Sequence, residues 1–256
     1  LFRKYPQTHV VVESNRCKAI QYIESHYPAV DAVVLDDAFQ HRYVTPGMSI
    51  LLIDYNRLIT KDKLLPVGRL RESASGRYRA SVIIVTKCPP RITPIELRNL
   101  YNEIDPRPYQ RIFYTHYQYA PLQSLYNAQT MPLTNNLSVM VVTGVAQPQP
   151  IFQYLMPQVA SVAAVPFADH HHFTKADWED IQNRFEQIES PNKCIVVTEK
   201  DAARMVDSKI VPQSLKPYIW VLPIKVCFLQ DREKEFNQLV LDYVSKNKRN
   251  SDFFNR

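Results

Sequence analysis

Two adjacent acids are the first residues in the sequence whose type and spacing could do chemistry. Asp36 and Asp37 follow an apolar run at 32–35, and Gln40 and His41 come shortly after them. Adjacent carboxylates at a strand end can hold Mg²⁺, directly or through water, and the metal can then bridge phosphate oxygens. The alternative is a polar strand end that caps a turn. The further polar groups at 40–42 favour the metal site.

A second group is the arginine-rich segment at 55–79, which contains the sequence Leu-Pro-Val-Gly-Arg-Leu-Arg-Glu at 65–72. Loops of this length in a compact domain are usually functional or disordered. Guanidinium groups along it could clamp phosphate through paired hydrogen bonds, and a solvated basic loop is the alternative. The arginines of this segment are Arg57, Arg69, Arg71, Arg77 and Arg79.

Three consecutive histidines form the third group, in the sequence Phe-Ala-Asp-His-His-His-Phe at 167–173. Consecutive side chains do not readily face one metal ion, and the HExxH spacing is absent. The pair Asp169 and His170 suits proton transfer better, because histidine titrates near neutral pH and a carboxylate can fix its tautomer. A polar region at the start of a helix, with solvated histidines, is the alternative.

The fourth group is Val-Thr-Glu-Lys-Asp-Ala at 197–202, which follows another apolar run. Such a charged string is usually a solvated turn. Its place at a predicted strand end is nevertheless where open α/β sheets bind ligands.

The elements that must position these groups alternate between apolar runs and helical patterns. An N-cap at Thr93 with Glu96 three residues later predicts a helix at 94–104, and Ser14 and Asp231 are expected to cap the first and last helices. Further helices are predicted at 148–155 and from Lys175. The predicted strands are 8–13, 31–37, 49–54, 81–86, 138–143, 160–165 and 194–198, with extended segments at 109–119 and 217–229 that could pair.

This alternation predicts an α/β fold with parallel strands and with ligands beyond their carboxyl ends. We expect two α/β units, a core at 1–110 and a smaller unit at 111–256 with the linking extended segments and the terminal helix.

Composition limits the possible functions. The chain has 256 residues, four scattered cysteines and a net charge of +6, so it needs no disulfide framework and favours an anionic partner, whether nucleic acid, a phosphorylated substrate or an acidic lipid surface. The apolar runs are shorter than the ~18–20 residues of a spanning helix, and we expect no transmembrane segment. With only four glycines, the sequence contains neither GxxxxGK[ST] nor GxGxxG.

Taken together, DDAFQHR, LPVGRLRE, FADHHHF and VTEKDA occur in an order and spacing that resemble the tetraacyldisaccharide 4'-kinase family, the lipid A kinases of Gram-negative bacteria. The resemblance covers nearly the whole chain. It implies a P-loop-kinase-like parallel sheet with a second, smaller α/β unit. It also implies transfer of the γ-phosphate of ATP to the 4'-hydroxyl of a lipid A disaccharide 1-phosphate precursor, in lipopolysaccharide synthesis.

The resemblance also implies roles for individual residues. Asp36 and Asp37 match Walker-B acids that hold Mg²⁺, and Asp169 with His170 matches the catalytic DHH element of the family. Expected substrate-binding residues, which line the active site, are Gln40, His41, Arg71 and Glu72. Residue 38 is alanine where many members have glycine.

The implied setting is the cytoplasmic face of the bacterial inner membrane, where the protein is peripheral, contacts an anionic membrane surface and binds no nucleic acid. Members of the family begin with a membrane-associating helix, a P-loop and a Gly-Asp-Glu-Pro segment. We therefore expect this chain to start just after that segment, to lack the ATP cradle and to be inactive alone. The alternative function is a non-catalytic basic α/β module that binds an anionic ligand, and an upstream GxxxxGK[ST] would decide for the kinase.

Overall fold

The structure is a computed structural model that describes residues 5–127, 129–145, 147–169, 171–206 and 208–254, with the backbone alone at 247–254. The α-helices are α1 (Arg16–His26), α2 (Pro94–Ile104), α3 (Gln149–Leu155), α4 (Lys175–Glu186), α5 (Glu199–Met205) and α6 (Glu233–Phe254). The strands are β1 (Ile50–Asp54), β2 (Val82–Thr86), β3 (Arg111–Tyr119), β4 (Leu122–Ser124), β5 (Thr130–Met131), β6 (Ser138–Thr143), β7 (Ser161–Pro166), β8 (Lys193–Thr198), β9 (Ile219–Leu222) and β10 (Ile224–Phe228).

The described residues form two compact units. The first unit consists of the residues up to Tyr117 and those from Val226 onward, and the second runs from Gln118 to Lys225. The division differs from the predicted one at residue 110, because β10 and α6 return to the first unit instead of belonging to the second. The prediction of an α/β fold is confirmed.

The first unit contains a four-stranded sheet in the order β1, β2, β3, β10, and the first three strands are parallel. One face buries Ile53, Ile83 and Val85 against α2. On the other face, Val82, Ile84 and Phe113 pack against apolar side chains of β10 and α6. Both faces of β2 are therefore covered, as its uninterrupted apolar sequence requires. The predicted pairing of the two extended segments occurs between β3 and β10.

The second unit contains a six-stranded sheet in the order β5, β4, β9, β8, β6, β7. The four strands from β9 to β7 are parallel, and β4 pairs antiparallel with both of its neighbours. Trp178, Ile181 and Phe185 of α4 are buried in the core on one face. Leu155 of α3 packs in the core on the other face, with Val139 and Val141 of β6.

Capping residues fix where α2 and α4 begin. Thr93 and Glu96 form the predicted reciprocal capping box, in which each satisfies a backbone N–H of the first turn. Thr174 and Asp177 form an equivalent box at α4. Both helices start where their sequences predict because a cap is a local interaction that needs no distant partner.

Two predicted strands are absent from the described part of the chain. Residues 8–13 and 31–35 form no ladder, and Val12 and Val34 are 95% and 93% exposed. A β-branched run becomes a strand only where another strand supplies hydrogen bonds, and neither run pairs with any strand in the described part of the chain. The predictions of strands at 8–13 and 31–37 are therefore wrong for this structure.

The ends of the first and last helices also differ from expectation. The N-cap of α1 is Asn15, whose side chain accepts a hydrogen bond from Lys18 N, instead of Ser14. Helix α6 begins at Glu233, after a 3₁₀ turn that ends at Asp231 with a positive φ of 54°. Within the described residues, no helix is both long enough and apolar enough to cross a bilayer.

We predict that Leu100→Ala destabilises the first unit by about 2–5 kcal/mol, because Leu100 is buried between α2 and the sheet and its truncation leaves a cavity. Urea unfolding followed by far-UV circular dichroism measures this change. Both tryptophans, Trp178 and Trp220, lie in the second unit, so their fluorescence reports that unit separately. Ile95→Ala on the exposed face of the same helix is the control, and an equal loss there would contradict the packing described.

Candidate active site

In the first unit, two of the predicted motifs are joined by ion pairs. Asp37 lies 3.9 Å from the guanidinium of Arg71, and both side chains are largely exposed. Arg42 donates a hydrogen bond of 2.9 Å to Glu72. The segments 36–42 and 71–72, about 30 positions apart in sequence, therefore lie side by side, and of the predicted site residues the structure brings Asp37, Arg71 and Glu72 together.

Glu72 is the centre of this cluster. Its carboxylate accepts hydrogen bonds of 3.0 and 2.8 Å from Arg79 as well as the one from Arg42. The Arg79 guanidinium also donates to the carbonyl of Phe39 at 3.1 Å and lies 4.6 Å from the centre of its ring. The hydrogen bonds from Arg79, reinforced by Arg42, hold the pKa of Glu72 below its usual value. Glu72 is therefore ionised at neutral pH and suited to holding cations, not to transferring protons.

Position 76 lies close against this cluster and is occupied by glycine. A Cβ at that position would lie 3.0 Å from Cδ of Glu72 and 3.1 Å from Nη1 of Arg79. The 3₁₀ turn Ala74–Arg79 that carries Gly76 can therefore lie directly against the carboxylate. A Cβ here would require Glu72 and Arg79 to shift by a few tenths of an ångström.

Other predicted residues of this unit have different surroundings from those expected. Asp36 and Asp37 are exposed and lie in a turn after an extended segment outside both sheets, not at a strand end. Asp37 has a positive φ of 46°. Gln40 is exposed and His41 is half-buried. Among the residues that the structure describes, no cluster of three or more acidic, histidine or cysteine side chains could hold a metal.

The five arginines of the 55–79 segment do not act as one clamp. The Arg77 side chain is largely buried and donates to the carbonyls of Ile104 and Ala74, at 2.9 and 3.0 Å. Arg57 pairs with Asp62, and Arg79 pairs with Glu72. Three of the five thus support the fold, which corrects the expectation that all could contact phosphate; Arg69 and Arg71 are exposed.

A pocket of about 770 Å³ opens along the same segment. Its lining residues are Tyr55, Asn56, Arg57, Leu58, Lys61, Asp62, Pro66, Val67, Gly68 and Arg69. Arg57 and Arg69, two of the arginines predicted to contact phosphate, line this pocket, whereas the residues predicted to bind the metal and the substrate in this unit do not.

In the second unit, the histidine motif and the VTEKDA motif meet. Asp169 Oδ1 lies 2.6 Å from Lys200 Nζ, and both side chains are partly exposed. The predicted catalytic residue His170 lies outside the described residues. The structure therefore gives Asp169 an ammonium partner from the start of α5 and does not test its pairing with His170.

Asp201 of the VTEKDA motif contacts the turn after β6. It is fully buried, and its Oδ2 accepts hydrogen bonds from Thr198 Oγ1 at 2.7 Å, Thr143 Oγ1 at 3.1 Å and Gly144 N at 3.2 Å. The Arg204 guanidinium lies 3.9 Å from Oδ1. A buried carboxylate with these donors ties the end of β6 to the start of α5.

Gly144, which donates to Asp201, also packs against the histidine motif. A Cβ at position 144 would lie 3.0 Å from the carbonyl oxygen of Ala168 and 3.5 Å from Cβ of His171. The segment that carries Asp169 thus packs directly on the turn that Asp201 holds. A Cβ at 144 would require the backbone at Ala168 to shift by a few tenths of an ångström.

His171 has a structural role. Its Nε2 lies 2.9 Å from Asp177 Oδ2, and its ring stacks on Phe167 with centroids 4.7 Å apart. Hydrogen bonds from the Thr174 backbone, together with His171, lower the pKa of Asp177. His171 therefore helps to cap α4, whereas His172 is exposed.

Sequence reasoning gave no individual role to Lys200, Asp201 or Thr143. The VTEKDA motif did signal the first two of these, but a charged string at a strand end does not reveal which side chain turns inward. Arg79 was predicted only as one of five arginines that could contact phosphate, and the structure pairs it with Glu72 instead.

Comparison with known proteins supplies the context for these clusters. The model of the family LpxK, tetraacyldisaccharide-1-P 4'-kinase, matches residues 1–245. The chain is 43% identical to a tetraacyldisaccharide 4'-kinase of Phocaeicola vulgatus over 98% of its own length, and 41% identical to that of Bacteroides thetaiotaomicron over 99%. It spans 70% of the length of each of these relatives.

A solved structure shares the fold. The crystal structure of LpxK from Aquifex aeolicus, described as an "apo" form in complex with ATP, matches with a TM-score of 0.58 and 20% identity. The match covers 90% of this chain and 62% of that one. The extent of the family match and the identity to relatives of that name place the chain in the tetraacyldisaccharide-1-P 4'-kinase family.

Proposed function

We propose that this protein takes part in transferring the γ-phosphate of ATP to the 4'-hydroxyl of a tetraacyldisaccharide 1-phosphate, a step of lipid A synthesis. The observation that carries the proposal is the joining of segments 36–42 and 71–72 by ion pairs, in a chain that belongs to this kinase family. The proposed setting is the cytoplasmic face of the bacterial inner membrane, with the protein peripheral and in contact with an anionic lipid surface.

Asp36 and Asp37 fit a magnesium ion by their chemistry. Both are exposed carboxylates, and Mg²⁺ commonly uses one or two carboxylates and fills its other positions with water and phosphate oxygens. When bound, the metal would neutralise phosphate charge during transfer. Arg71, 3.9 Å from Asp37, would add a positive charge for the substrate phosphate, and Glu72 would keep Arg42 and Arg79 in place beside it.

The residues of this chain do not offer a cradle for the triphosphate. The four glycines stand at 47, 68, 76 and 144, and none belongs to a GxxxxGK[ST] motif. We therefore assign no residue of these 256 to the ATP phosphates. The proposed contributions of the chain are the metal-binding acids, the substrate-binding groups Gln40, His41, Arg71 and Glu72, and the Asp169–His170 pair on the acceptor side.

Kinase assays on the protein as expressed from its own gene test the metal assignment. Asp36→Asn and Asp37→Asn should each lower kcat by about 100-fold or more, because the loss of a metal ligand misplaces the phosphate. Both variants should also require more Mg²⁺ for half-maximal rate. Asp242→Asn on the exposed face of α6 is the control. Wild-type rates in both variants would refute the assignment, and ligand binding without any transfer in the wild-type protein would favour the basic binding module.

A comparison of two histidines tests the acceptor side. His170→Ala should lower kcat by about 100- to 10,000-fold and change KM little, because help with proton removal is needed mainly in the transition state. His172→Ala is the matched control, since His172 is exposed. His171 is not a suitable control, because it supports the cap of α4. Equal losses at 170 and 172 would eliminate the assignment of His170.

The ion pair at Asp169 generates another prediction. Lys200→Met should lower kcat by about tenfold without unfolding the protein, since Lys200 fixes the carboxylate beside His170. Lys200→Arg keeps the charge and should recover most of the rate. Arg184→Met breaks an exposed ion pair of 2.8 Å in the same unit and should leave kcat unchanged. A rate unaffected by Lys200→Met would show that this pair is only a surface contact.

A further inference from the structure

Four consecutive apolar residues are exposed at the tip of a turn in the first unit. Leu64, Leu65 and Val67 are 49%, 61% and 78% exposed, and Pro66 between them is exposed as well. We call residues 64–67 the apolar tip. Single exposed apolar side chains are ordinary, but four in succession form a continuous patch.

The apolar tip is held in one conformation by hydrogen bonds at its base. Leu65 N donates to the carbonyl of Leu70 at 3.0 Å, Leu70 N donates to that of Lys63 at 2.9 Å, and Gly68 N donates to that of Leu64 at 2.9 Å. Asp62 Oδ1 accepts from the backbone N–H groups of Lys63 and Arg69, at 2.8 and 3.2 Å. These hydrogen bonds close the turn beneath the exposed side chains, of which Pro66 and Val67 also border the pocket described above.

Position 68 shows how tightly this turn is closed. A Cβ there would lie 2.1 Å from the carbonyl oxygen of Lys63 and 2.6 Å from Oδ1 of Asp62. Only glycine fits between these groups. The exposure of the apolar tip is thus a consequence of a well-ordered turn.

Basic residues flank the apolar tip on both sides. Between residues 57 and 71 the chain has five basic residues and one acid. That acid, Asp62, pairs with Arg57, whereas Lys63 and Arg69 next to the apolar tip are exposed. Lys61 and Arg71 have acidic neighbours elsewhere in the chain, Glu103 and Asp37, so the positive charge beside the tip comes from Lys63 and Arg69.

We propose that the apolar tip inserts into the headgroup region of an anionic lipid bilayer, with Lys63 and Arg69 contacting lipid phosphates. Apolar side chains beside lysine and arginine match the layering of a bilayer, where acyl chains lie below an anionic surface. A turn of four residues is also too small for a stable protein interface, which buries about 800 Å² on each partner. The inference deepens the proposed function, on which its choice of a lipid surface partly rests.

A tryptophan reporter tests insertion directly. The emission of the introduced tryptophan in Val67→Trp is obtained by subtracting the wild-type spectrum. It should shift to shorter wavelength when phosphatidylcholine vesicles that contain phosphatidylglycerol are added, and brominated lipids should quench it. Met156→Trp, at an exposed position of the second unit, should show neither change. If vesicle-bound Val67→Trp has the emission of the free protein, the apolar tip does not insert and the proposal is wrong.

Binding measurements separate the apolar and the charged contributions. Leu65→Ser with Val67→Ser should weaken binding to the same vesicles by about tenfold or more, because the two serines leave little apolar surface to bury in the bilayer. Lys63→Gln with Arg69→Gln should weaken it by about tenfold and reduce its dependence on salt. Met156→Ser is the control. If both double variants bind the vesicles as tightly as the wild-type protein, the proposal is wrong. It is also wrong if the protein self-associates without lipid and Val67→Ser abolishes that self-association.

A kinase assay distinguishes failure of this inference from failure of the proposed function. The Leu65→Ser, Val67→Ser variant should phosphorylate detergent-dispersed substrate at the wild-type rate and vesicle-embedded substrate more slowly. Wild-type protein that inserts its tip but phosphorylates neither substrate would refute the proposed function and leave the insertion standing. Equal rates of variant and wild type on vesicles would count against insertion.

Discussion

The second unit depends on one buried negative charge. Asp201 has no exposed surface, and a carboxylate in that position is tolerated only if several donors reach it. Those donors come from two strand ends, through Thr143 with Gly144 and through Thr198. Satisfying the charge therefore fixes the relative position of the ends of β6 and β8. Because Gly144 packs on Ala168, the same requirement determines where the segment with Asp169 lies.

In the first unit a less buried carboxylate, that of Glu72, likewise gathers hydrogen-bond donors from separate segments. These donors are Arg42 and Arg79, and Gly76 lies close against the cluster. The lowered pKa of Glu72 follows from its arginine partners, so the cluster keeps its charge through the neutral range. Each unit consequently holds its own candidate residues in place with its own ionic network. A substitution in either network can misplace functional groups without exposing any of the apolar core.

The sequence predicts those parts of the fold that depend on local interactions or on complete burial. Strand β6 and helices α2 and α4 lie where expected, because an apolar run covered on both faces and a capping box are visible within a few residues. The runs at 8–13 and 31–37 are equally apolar, but strand formation also requires a neighbour, and sequence pattern does not reveal whether one exists. The division of the chain into units differs from the predicted one because the pattern allowed the segments at 109–119 and 217–229 to pair but did not show that this pairing places the end of the chain in the first unit.

The candidate site was predictable as motifs but not as contacts. Residue types at 36–42, 71–72 and 169–170 indicated where charged chemistry would occur, whereas the inward or outward direction of each side chain depends on packing. The arginines of the 55–79 segment make this plain. Arg77 has a neighbouring helix end whose carbonyl at Ile104 needs a donor, so it turns inward, while Arg69 follows a closed turn that leaves it exposed. A cation that completes the hydrogen bonding of a helix terminus is no longer available to a phosphate, so net charge alone overstates the basic surface that a partner can reach.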